Sequence, residues 1–143
     1  MLIRMNAEHE NDNNAFGIYA GDNAFYIAVL ADPRAADRVA PEMSRPWRML
    51  DVSILHKVIL DPLLGIDEQS VNEGGKLKYV KGMSNAVDES IAEVDAGKQQ
   101  VAFFMNPVKM RQLKDVTDAG ERMPQKSTFF YPKLFTGLTI RKI

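Results

Sequence analysis

The sequence contains no cysteine in its 143 residues. Disulfide bonds, thiolate nucleophiles and thiolate metal ligands are therefore excluded. The sequence also has no apolar run near the ~20 residues that a membrane-spanning helix requires, and the N-terminus carries no apolar signal-peptide core. We therefore expect a cytoplasmic protein that does not contact a membrane.

The sequence also carries almost no net charge. The 18 Lys and Arg residues stand against 19 Asp and Glu residues, which gives a formal net charge of -1. Because nucleic-acid-binding domains usually carry a basic field, this balance argues against a nucleic-acid partner. Neither of the two histidines, His9 and His56, has a metal-ligating neighbour at helical spacing, so we predict no metal site. A lone imidazole such as His56 is more typical of a helix surface or the edge of a core.

The length and composition indicate a single globular domain preceded by a polar segment. Residues 1–14 are predominantly polar, so we predict a flexible lead-in there and one domain over residues 15–143. Two β-prone runs, residues 16–19 and 24–30, flank a Gly, Asp and Asn turn, which predicts a β-hairpin. Residues 32–46 contain three prolines and no regular spacing of apolar residues. We therefore expect this segment to run across the protein surface with at most a short helical turn.

The first helix is predicted to begin at Asp51, whose carboxylate suits an N-cap and the positive end of the helix dipole. Leu50 and Leu55 fit a hydrophobic staple around this start. Pro62 disfavours helical backbone at the residue before it. We therefore expect the helix to end near Leu60.

Two further helices are predicted downstream. The second begins after Ser84 or Asn85 and ends at Gly97, and the third has Asn106 as its N-cap and ends at Gly120. The apolar stripes consist of Val87, Ile91 and Val94 in the second helix, and of Met110, Leu113 and Val116 in the third.

Three more segments are predicted to be strands. Residues 76–81 alternate between polar and apolar side chains, residues 100–105 form a short apolar run typical of a strand buried on both faces, and residues 138–143 form the last strand. Together with the hairpin, these segments give about five strands. The order of elements predicts an α+β fold, with a mainly antiparallel sheet on which three principal helices pack.

Residues 120–137, which we call the donor-rich segment, combine cations, hydroxyls, an amide and three consecutive aromatic residues. Its hydrogen-bond donors are Arg122, Gln125, Lys126, Ser127, Thr128 and Lys133. Several such donors together suit the charge-assisted contacts of a phosphate or carboxylate. An extended backbone would place Lys126, Thr128 and Phe130 on one face. In the functional interpretation, Arg122, Lys126 and Thr128 converge on an anionic group while the aromatic rings exclude water.

From the residues alone, a structural interpretation of the same segment is favoured over the functional one. A proline-bounded edge strand would bury the aromatic side chains, and Lys126 and Lys133 would discourage pairing with another sheet. The segment is not a P-loop, because Met123 and Pro124 stand where that motif needs glycine. Gly120 also follows a helix, so a phosphate there would face the negative end of the dipole.

No catalytic residue and no cofactor are indicated. Ser127 has no adjacent histidine base and no strand-to-helix elbow, so it is a poor candidate nucleophile. Asp115, Asp118 and Glu121 form an acidic cluster, which helix solvation explains as well as an acid/base role does.

Three blocks, residues 47–66, 101–107 and 120–138, together resemble the C-terminal part of an uncharacterised prokaryotic family catalogued as domain of unknown function 1015. The most specific block is Met-Pro-Gln-Lys-Ser-Thr-Phe-Phe-Tyr-Pro-Lys, residues 123–133. The resemblance extends over essentially everything from Phe16 onward.

Longer members of that family carry an N-terminal half with an Asp-Gly-His-His-Arg motif. That motif is similar to the phosphate-handling motif of the fold shared by chromosome-partitioning proteins, sulfiredoxin and a free-serine kinase. This sequence lacks the motif and begins near the point where that half would end, so no catalytic role is carried over. The resemblance strengthens the ligand-site interpretation of Arg122, Gln125, Lys126, Ser127 and Thr128 by analogy.

Three functions are consistent with these observations. The first is a non-catalytic or accessory domain that binds a phosphorylated metabolite or nucleotide through residues 120–133. The second is a phosphoryl-transfer or phosphatase-type enzyme that needs a separately encoded N-terminal half or a homodimer. The third is a structural oligomerisation module. The expected partners are therefore a phosphorylated small molecule and either a second copy of the chain or a separate N-terminal half.

Overall fold

The computed structural model of the protein describes residues 1–80 and 85–128. The helices in these ranges are α1 (Leu2–Glu10), α2 (Arg34–Asp37), α3 (Arg45–Arg48), α4 (Asp51–Ile54), α5 (Asp61–Leu64), α6 (Glu68–Glu73), α7 (Ala86–Asp95) and α8 (Met110–Asp118), and a π-helical segment (Leu55–Leu60) joins α4 to α5. The strands are β1 (Ala15–Tyr19), β2 (Phe25–Val29) and β3 (Ala102–Met105). We call the continuous helix formed by α4, the π segment and α5 the long helix. Within the described ranges, no helix has the length and apolar character needed to cross a membrane.

The three strands form an antiparallel sheet in the order β2-β1-β3. Phe16 in β1 lies opposite Ala28 in β2 and Met105 in β3. The predicted α+β class and the hairpin are therefore confirmed. The described residues account for three of the five predicted strands, because residues 76–80 are irregular and the strand predicted over residues 138–143 lies outside them.

Helices cover both faces of this sheet. On one face, Phe16 packs with Ile54 of the long helix. On the other face, Tyr19 packs with Met5 of α1 and Val94 of α7. Because alternate residues of a strand point to opposite faces, the central strand β1 has to be apolar at nearly every position, and its sequence Ala-Phe-Gly-Ile-Tyr satisfies that requirement.

The N-terminal residues do not form the flexible lead-in that was predicted over residues 1–14. Residues Leu2–Glu10 form α1, and Met5 is only 2% exposed. A Cβ atom at Gly17 would lie 2.7 Å from the Sδ atoms of both Met1 and Met5, so the glycine lets α1 approach β1 closely. The prediction was wrong because one buried methionine among polar residues gives no apolar period, whereas tertiary packing stabilises the helix.

The long helix continues past Leu60, where the sequence predicted its end. Asp61 keeps helical backbone angles, and its N–H donates to the carbonyl of His56, five residues earlier. Pro62 is the second residue of α5 and follows the π-helical turn, which has already interrupted the regular hydrogen-bond pattern of the long helix. Gly65 then ends the helix in the left-handed conformation, with φ of 63°. The helix therefore continues, through a π-helical turn, past a proline that was expected to end it.

Asp51 is the first residue of α4, and Leu50 holds the N-cap position that was predicted for Asp51. The Asp51 carboxylate accepts a hydrogen bond of 2.6 Å from Asn14 Nδ2, which also donates to the Met49 carbonyl at 3.0 Å. Burial raises the pKa of Asp51, although the Asn14 hydrogen bond and nearby basic side chains oppose this shift. The carboxylate therefore joins the long helix to the start of β1.

The second predicted helix is confirmed as α7. It ends shortly before Gly97, which has a positive φ of 68°. The apolar run at residues 100–105 is confirmed as β3. That strand is less buried than expected, since Met105 is 39% exposed. The reason is that β3 lies at an edge of the described sheet.

The third predicted helix exists as α8, but it begins later than expected. Lys109 holds the N-cap position, whereas Asn106 donates from Nδ2 to the Met5 carbonyl at 3.2 Å. Val116 is fully buried, but Met110 is 70% exposed, so the predicted apolar stripe is only partly correct. Asn106, which was predicted to cap this helix, therefore binds α1 instead.

Candidate functional site

A cavity of about 160 Å³ lies beside the long helix. We call it the His56 pocket. Its lining residues are Trp47, Val52, Ser53, His56, Lys57, Asp61, Ile66, Glu68, Val71, Tyr79, Pro124 and Gln125. The pocket thus joins α3, the long helix, α6, the irregular residues 76–80 and the donor-rich segment.

The π segment supplies two of the polar side chains of the pocket, His56 and Lys57. π-Helical turns are rare, and they occur frequently at functional sites. The irregular turn and the pocket therefore coincide in one stretch of the long helix.

His56 and Tyr79 interact in the wall of the pocket. The Nε2 atom of His56 lies 3.1 Å from the hydroxyl oxygen of Tyr79, and the two rings are stacked with 20° between their planes. Burial, followed by the positive charge of Lys57, lowers the pKa of His56. Burial also raises the pKa of Tyr79. The imidazole is therefore neutral at neutral pH, and its Nε2 atom can accept a hydrogen bond from the protonated phenol.

The lowered pKa of His56 predicts a specific dependence of stability on pH. An unfolded histidine titrates near 6.5, and the folded protein binds fewer protons at His56 below that pH than the unfolded chain does. The contribution of neutral His56 to the free energy of unfolding should therefore be complete above pH ~6.5 and decrease as the pH falls below it.

Denaturant unfolding of the wild type and of His56→Gln across pH 5–8 measures this contribution. The difference between the two free energies of unfolding should decrease towards low pH, since the other titrating groups are common to both proteins. A difference that stays constant with pH would show that the folded environment does not perturb His56.

Ser53 has a buried hydroxyl in the same wall. Its side chain belongs to α4, and the residue is 3% exposed. Within residues 1–80 and 85–128, its Oγ atom has no hydrogen-bond partner. Buried hydroxyls are normally paired, but this oxygen is enclosed by the protein and is not accessible from the pocket.

The charged side chains around the pocket have both signs. Lys57 Nζ lies 3.8 Å from the Glu68 carboxylate, and Glu68 is largely exposed. Asp61 is a second acidic residue in the lining. The side of the pocket formed by α5 and α6 is therefore unfavourable for a phosphate group.

The donor-rich segment reaches the pocket through Pro124 and Gln125. Of the five predicted site residues that the structure describes, Gln125 alone is among the lining side chains. Arg122 and Lys126 are exposed, and Ser127 and Thr128 are half-buried. The sixth predicted residue, Lys133, lies outside the described residues.

The extended backbone predicted for this segment is wrong over residues 124–127. Lys126 has φ of 64°, in the left-handed region. The Ser127 N–H and hydroxyl donate to the Pro124 carbonyl at 3.4 and 2.6 Å. A turn replaces the strand because these local hydrogen bonds compete with extended structure, so the predicted alternation of Lys126 and Thr128 on one face does not apply.

The beginning of the segment is held by a carboxylate of the predicted acidic cluster. Glu121 accepts hydrogen bonds from the Ser44 N–H at 2.6 Å and from the Ser44 hydroxyl at 2.5 Å. Ser44 is the N-cap of α3, one of two short helices in the region predicted to hold at most one helical turn. Met123 packs on the cluster of Leu50 and Val116. Glu121 therefore positions the segment beside Trp47 and the long helix.

Sequence reasoning missed His56, Tyr79 and Ser53 as site residues. His56 was assigned to a helix surface or core edge because its partner is 23 positions away in the sequence. Tyr79 was placed in a predicted strand. The combination of a histidine and a proline-interrupted helix was the available signal, since Pro62 lies just after the π segment.

No protein-family model, no curated protein and no solved structure matches the chain. The resemblance to the family catalogued as domain of unknown function 1015 therefore stays a prediction. Within the described residues there is no group of three or more His, Asp or Glu side chains suited to hold a metal ion.

Proposed function

We propose that the protein is a non-catalytic or accessory ligand-binding domain that recognises a phosphorylated metabolite or nucleotide. The organic part of the ligand occupies the His56 pocket, and its phosphate lies against residues 125–128. The observation that carries this proposal is that Gln125 of the donor-rich segment lines the same cavity as His56 and Tyr79.

The distribution of charge favours this orientation of the ligand. Asp61 and Glu68 repel an anion from the side formed by α5 and α6. Next to Gln125, the cation Lys126 and the hydroxyl of Thr128 are suited to charge-assisted hydrogen bonds with phosphate, whereas the Ser127 hydroxyl already donates to the Pro124 carbonyl. The same residues belong to the most specific block of the family resemblance, which supports the assignment by analogy.

Binding of phosphorylated compounds tests the proposal. Isothermal titration and thermal unfolding should detect binding of at least one of uridine 5′-phosphate, adenosine 5′-phosphate and ribose 5-phosphate, because a ligand that binds only the folded state raises its stability. Lys126→Ala should weaken the affinity roughly 10- to 100-fold, since a hydrogen bond to a charged group contributes ~1.5–3 kcal/mol.

Lys98→Ala is the matched control, because Lys98 is an exposed lysine that does not line the pocket. It should bind like the wild type. The proposal is rejected if none of the three compounds binds, or if Lys126→Ala and Lys98→Ala have equal affinities.

The second candidate is an enzyme of phosphoryl transfer or phosphomonoester hydrolysis. The observation that favours it is the neutral imidazole of His56, which lies in the pocket with its Nε2 atom 3.1 Å from the Tyr79 hydroxyl. A neutral imidazole can accept a proton and so act as a general base. Phosphate release or transfer that is abolished by His56→Gln would favour the enzyme, whereas inactivity that persists with an added N-terminal half would count against it.

A further inference from the structure

We infer that the His56 pocket binds a positively charged alkylammonium group. The preferred ligand is therefore a phosphorylated alkylammonium compound, with its cation in the pocket and its phosphate against residues 125–128. The inference rests on the proposed function and narrows its ligand class. It follows from the carboxylate of Asp61, from the end of the long helix and from the aromatic side chains of the wall.

The charged residues of the lining leave one negative charge unbalanced. Lys57 Nζ lies 3.8 Å from the Glu68 carboxylate, so these two charges largely offset each other. Asp61 also lines the pocket, and within residues 1–80 and 85–128 it takes part in no salt bridge. Because the lowered pKa of His56 keeps its imidazole neutral, the Asp61 carboxylate decides the sign of charge that this lining attracts, and it attracts a cation.

The end of the long helix favours the same sign of charge. Asp61 lies in the last turn of this helix, which ends at Leu64 before the left-handed Gly65. The free carbonyl groups at the C-terminal end of a helix give it a partial negative charge, which stabilises cations near the last turn. Ile66, just after this end, also lines the pocket. The carboxylate and the helix end therefore act together on one side of the pocket.

Aromatic side chains add a second kind of cation contact. Trp47 and Tyr79 line the pocket, and both are half-buried. The face of an aromatic ring attracts an ammonium group, most strongly for tryptophan, and proteins recognise methylated ammonium groups in this way. The imidazole of His56 stacks on Tyr79 and, being neutral, does not repel a cation. The wall therefore suits an alkylated ammonium group, whose methyl groups contact the rings.

The charges at the two ends of the site have opposite signs. Asp61 lies on the side formed by α5 and α6, whereas Gln125 brings the donor-rich segment, with the cation Lys126 next in the chain, to the same pocket. Complementary charges at both ends fix the orientation of a ligand and exclude ligands of the wrong charge. A compound with an ammonium group and a phosphate matches both ends at once.

Isothermal titration with two probes of the same shape tests the inference. Phosphocholine carries a trimethylammonium group, and 3,3-dimethylbutyl phosphate has a carbon atom in place of that nitrogen and so lacks the positive charge. The phosphate contacts are common to both probes, and only phosphocholine gains the attraction of Asp61 and of the aromatic rings. We expect phosphocholine to bind about tenfold more tightly than its neutral counterpart.

Two aspartate variants locate the charge effect. Asp61→Asn should weaken the binding of phosphocholine about fivefold, the upper end for an exposed ion pair, and leave that of 3,3-dimethylbutyl phosphate unchanged. The unchanged affinity for the neutral probe also shows that the variant is folded. Asp115→Asn is the matched control, because Asp115 is an exposed helical aspartate that does not line the pocket, and it should bind both probes like the wild type.

The outcomes separate the inference from the proposed function. If the two probes bind equally and Lys126→Ala weakens both, or if Asp61→Asn does not reduce the preference for phosphocholine, the ammonium specificity is overturned and the phosphate site stands. If neither these probes nor the nucleotides bind, the proposed function itself fails. Binding of unphosphorylated choline that depends on Asp61 would in that case still support the ammonium site, and its absence would overturn the inference as well.

Discussion

Replacement of Phe16 by alanine is expected to lower the free energy of unfolding by about 3–5 kcal/mol, the usual cost of truncating a buried phenylalanine. Phe16 is 1% exposed, lies in the central strand β1 and packs with Ile54, Leu55 and Leu60 of the long helix. The substitution removes the largest side chain that joins the sheet to the helix carrying the His56 pocket. Denaturant unfolding measures the effect.

Phe25→Ala is the control for this prediction. Phe25 lies in the neighbouring strand β2, is 48% exposed and stacks on Tyr19 with 4.9 Å between ring centroids. Its loss should cost about 1 kcal/mol. If Phe16→Ala does not fold, Phe16→Leu should fold with a loss below ~1.5 kcal/mol. Equal effects of Phe16→Ala and Phe25→Ala would contradict the described core.

Replacement of Asn14 by leucine is expected to lower the free energy of unfolding by about 2–4 kcal/mol at pH 7, because it leaves a largely buried carboxylate without its hydrogen-bond donor. Asn14 is 7% exposed, and its amide donates to Asp51 and to the Met49 carbonyl. Asn13→Leu is the control, since the Asn13 amide makes its hydrogen bond to Glu8 at the exposed surface, and it should cost less than ~1 kcal/mol.

The destabilisation by Asn14→Leu should decrease at low pH. Burial already raises the pKa of Asp51, and loss of the donor raises it further, so the folded variant binds a proton at Asp51 more readily than the unfolded chain does. Lowering the pH through this raised pKa therefore restores stability to the variant. A second substitution, Asp51→Asn, should recover part of the loss at pH 7. A cost that is independent of both pH and Asp51 would show that the hydrogen bond is not the cause.

The parts of the fold that were predicted correctly depend on local sequence. The hairpin follows from a run of Gly21, Asp22 and Asn23 between β-prone segments, and both Gly21 and Asn23 adopt the positive φ that such turns require. Helix α7 follows from its apolar period and from Gly97. In these places the local signals agree with the tertiary structure.

The errors arise where distant contacts override a local rule. Met5 holds α1 against β1 although its neighbours are polar. Asp61 and Pro62 stay helical because a π turn precedes them. Asp51 pairs with Asn14, 37 positions away, and so does not cap its own helix.

In the candidate site, too, local features could be predicted from the sequence and distant contacts could not. The donor-rich segment is conspicuous in the sequence, and Gln125 does line the pocket. Its companions His56 and Tyr79 meet only because of the irregular path of residues 76–80, for which an alternating pattern predicted a strand. The pocket could not be predicted because its walls come from elements that lie far apart in the chain.

A fluorescence titration of Trp47 tests the central claim most directly. Trp47 is the only tryptophan of the sequence and lines the His56 pocket together with Gln125, so its emission reports occupancy of that pocket. We predict a saturable change in emission on addition of uridine 5′-phosphate, with an affinity that Lys126→Ala weakens and Lys98→Ala preserves. An emission spectrum that no phosphorylated compound changes, even at concentrations that stabilise the protein against heat, would contradict a ligand site in this pocket.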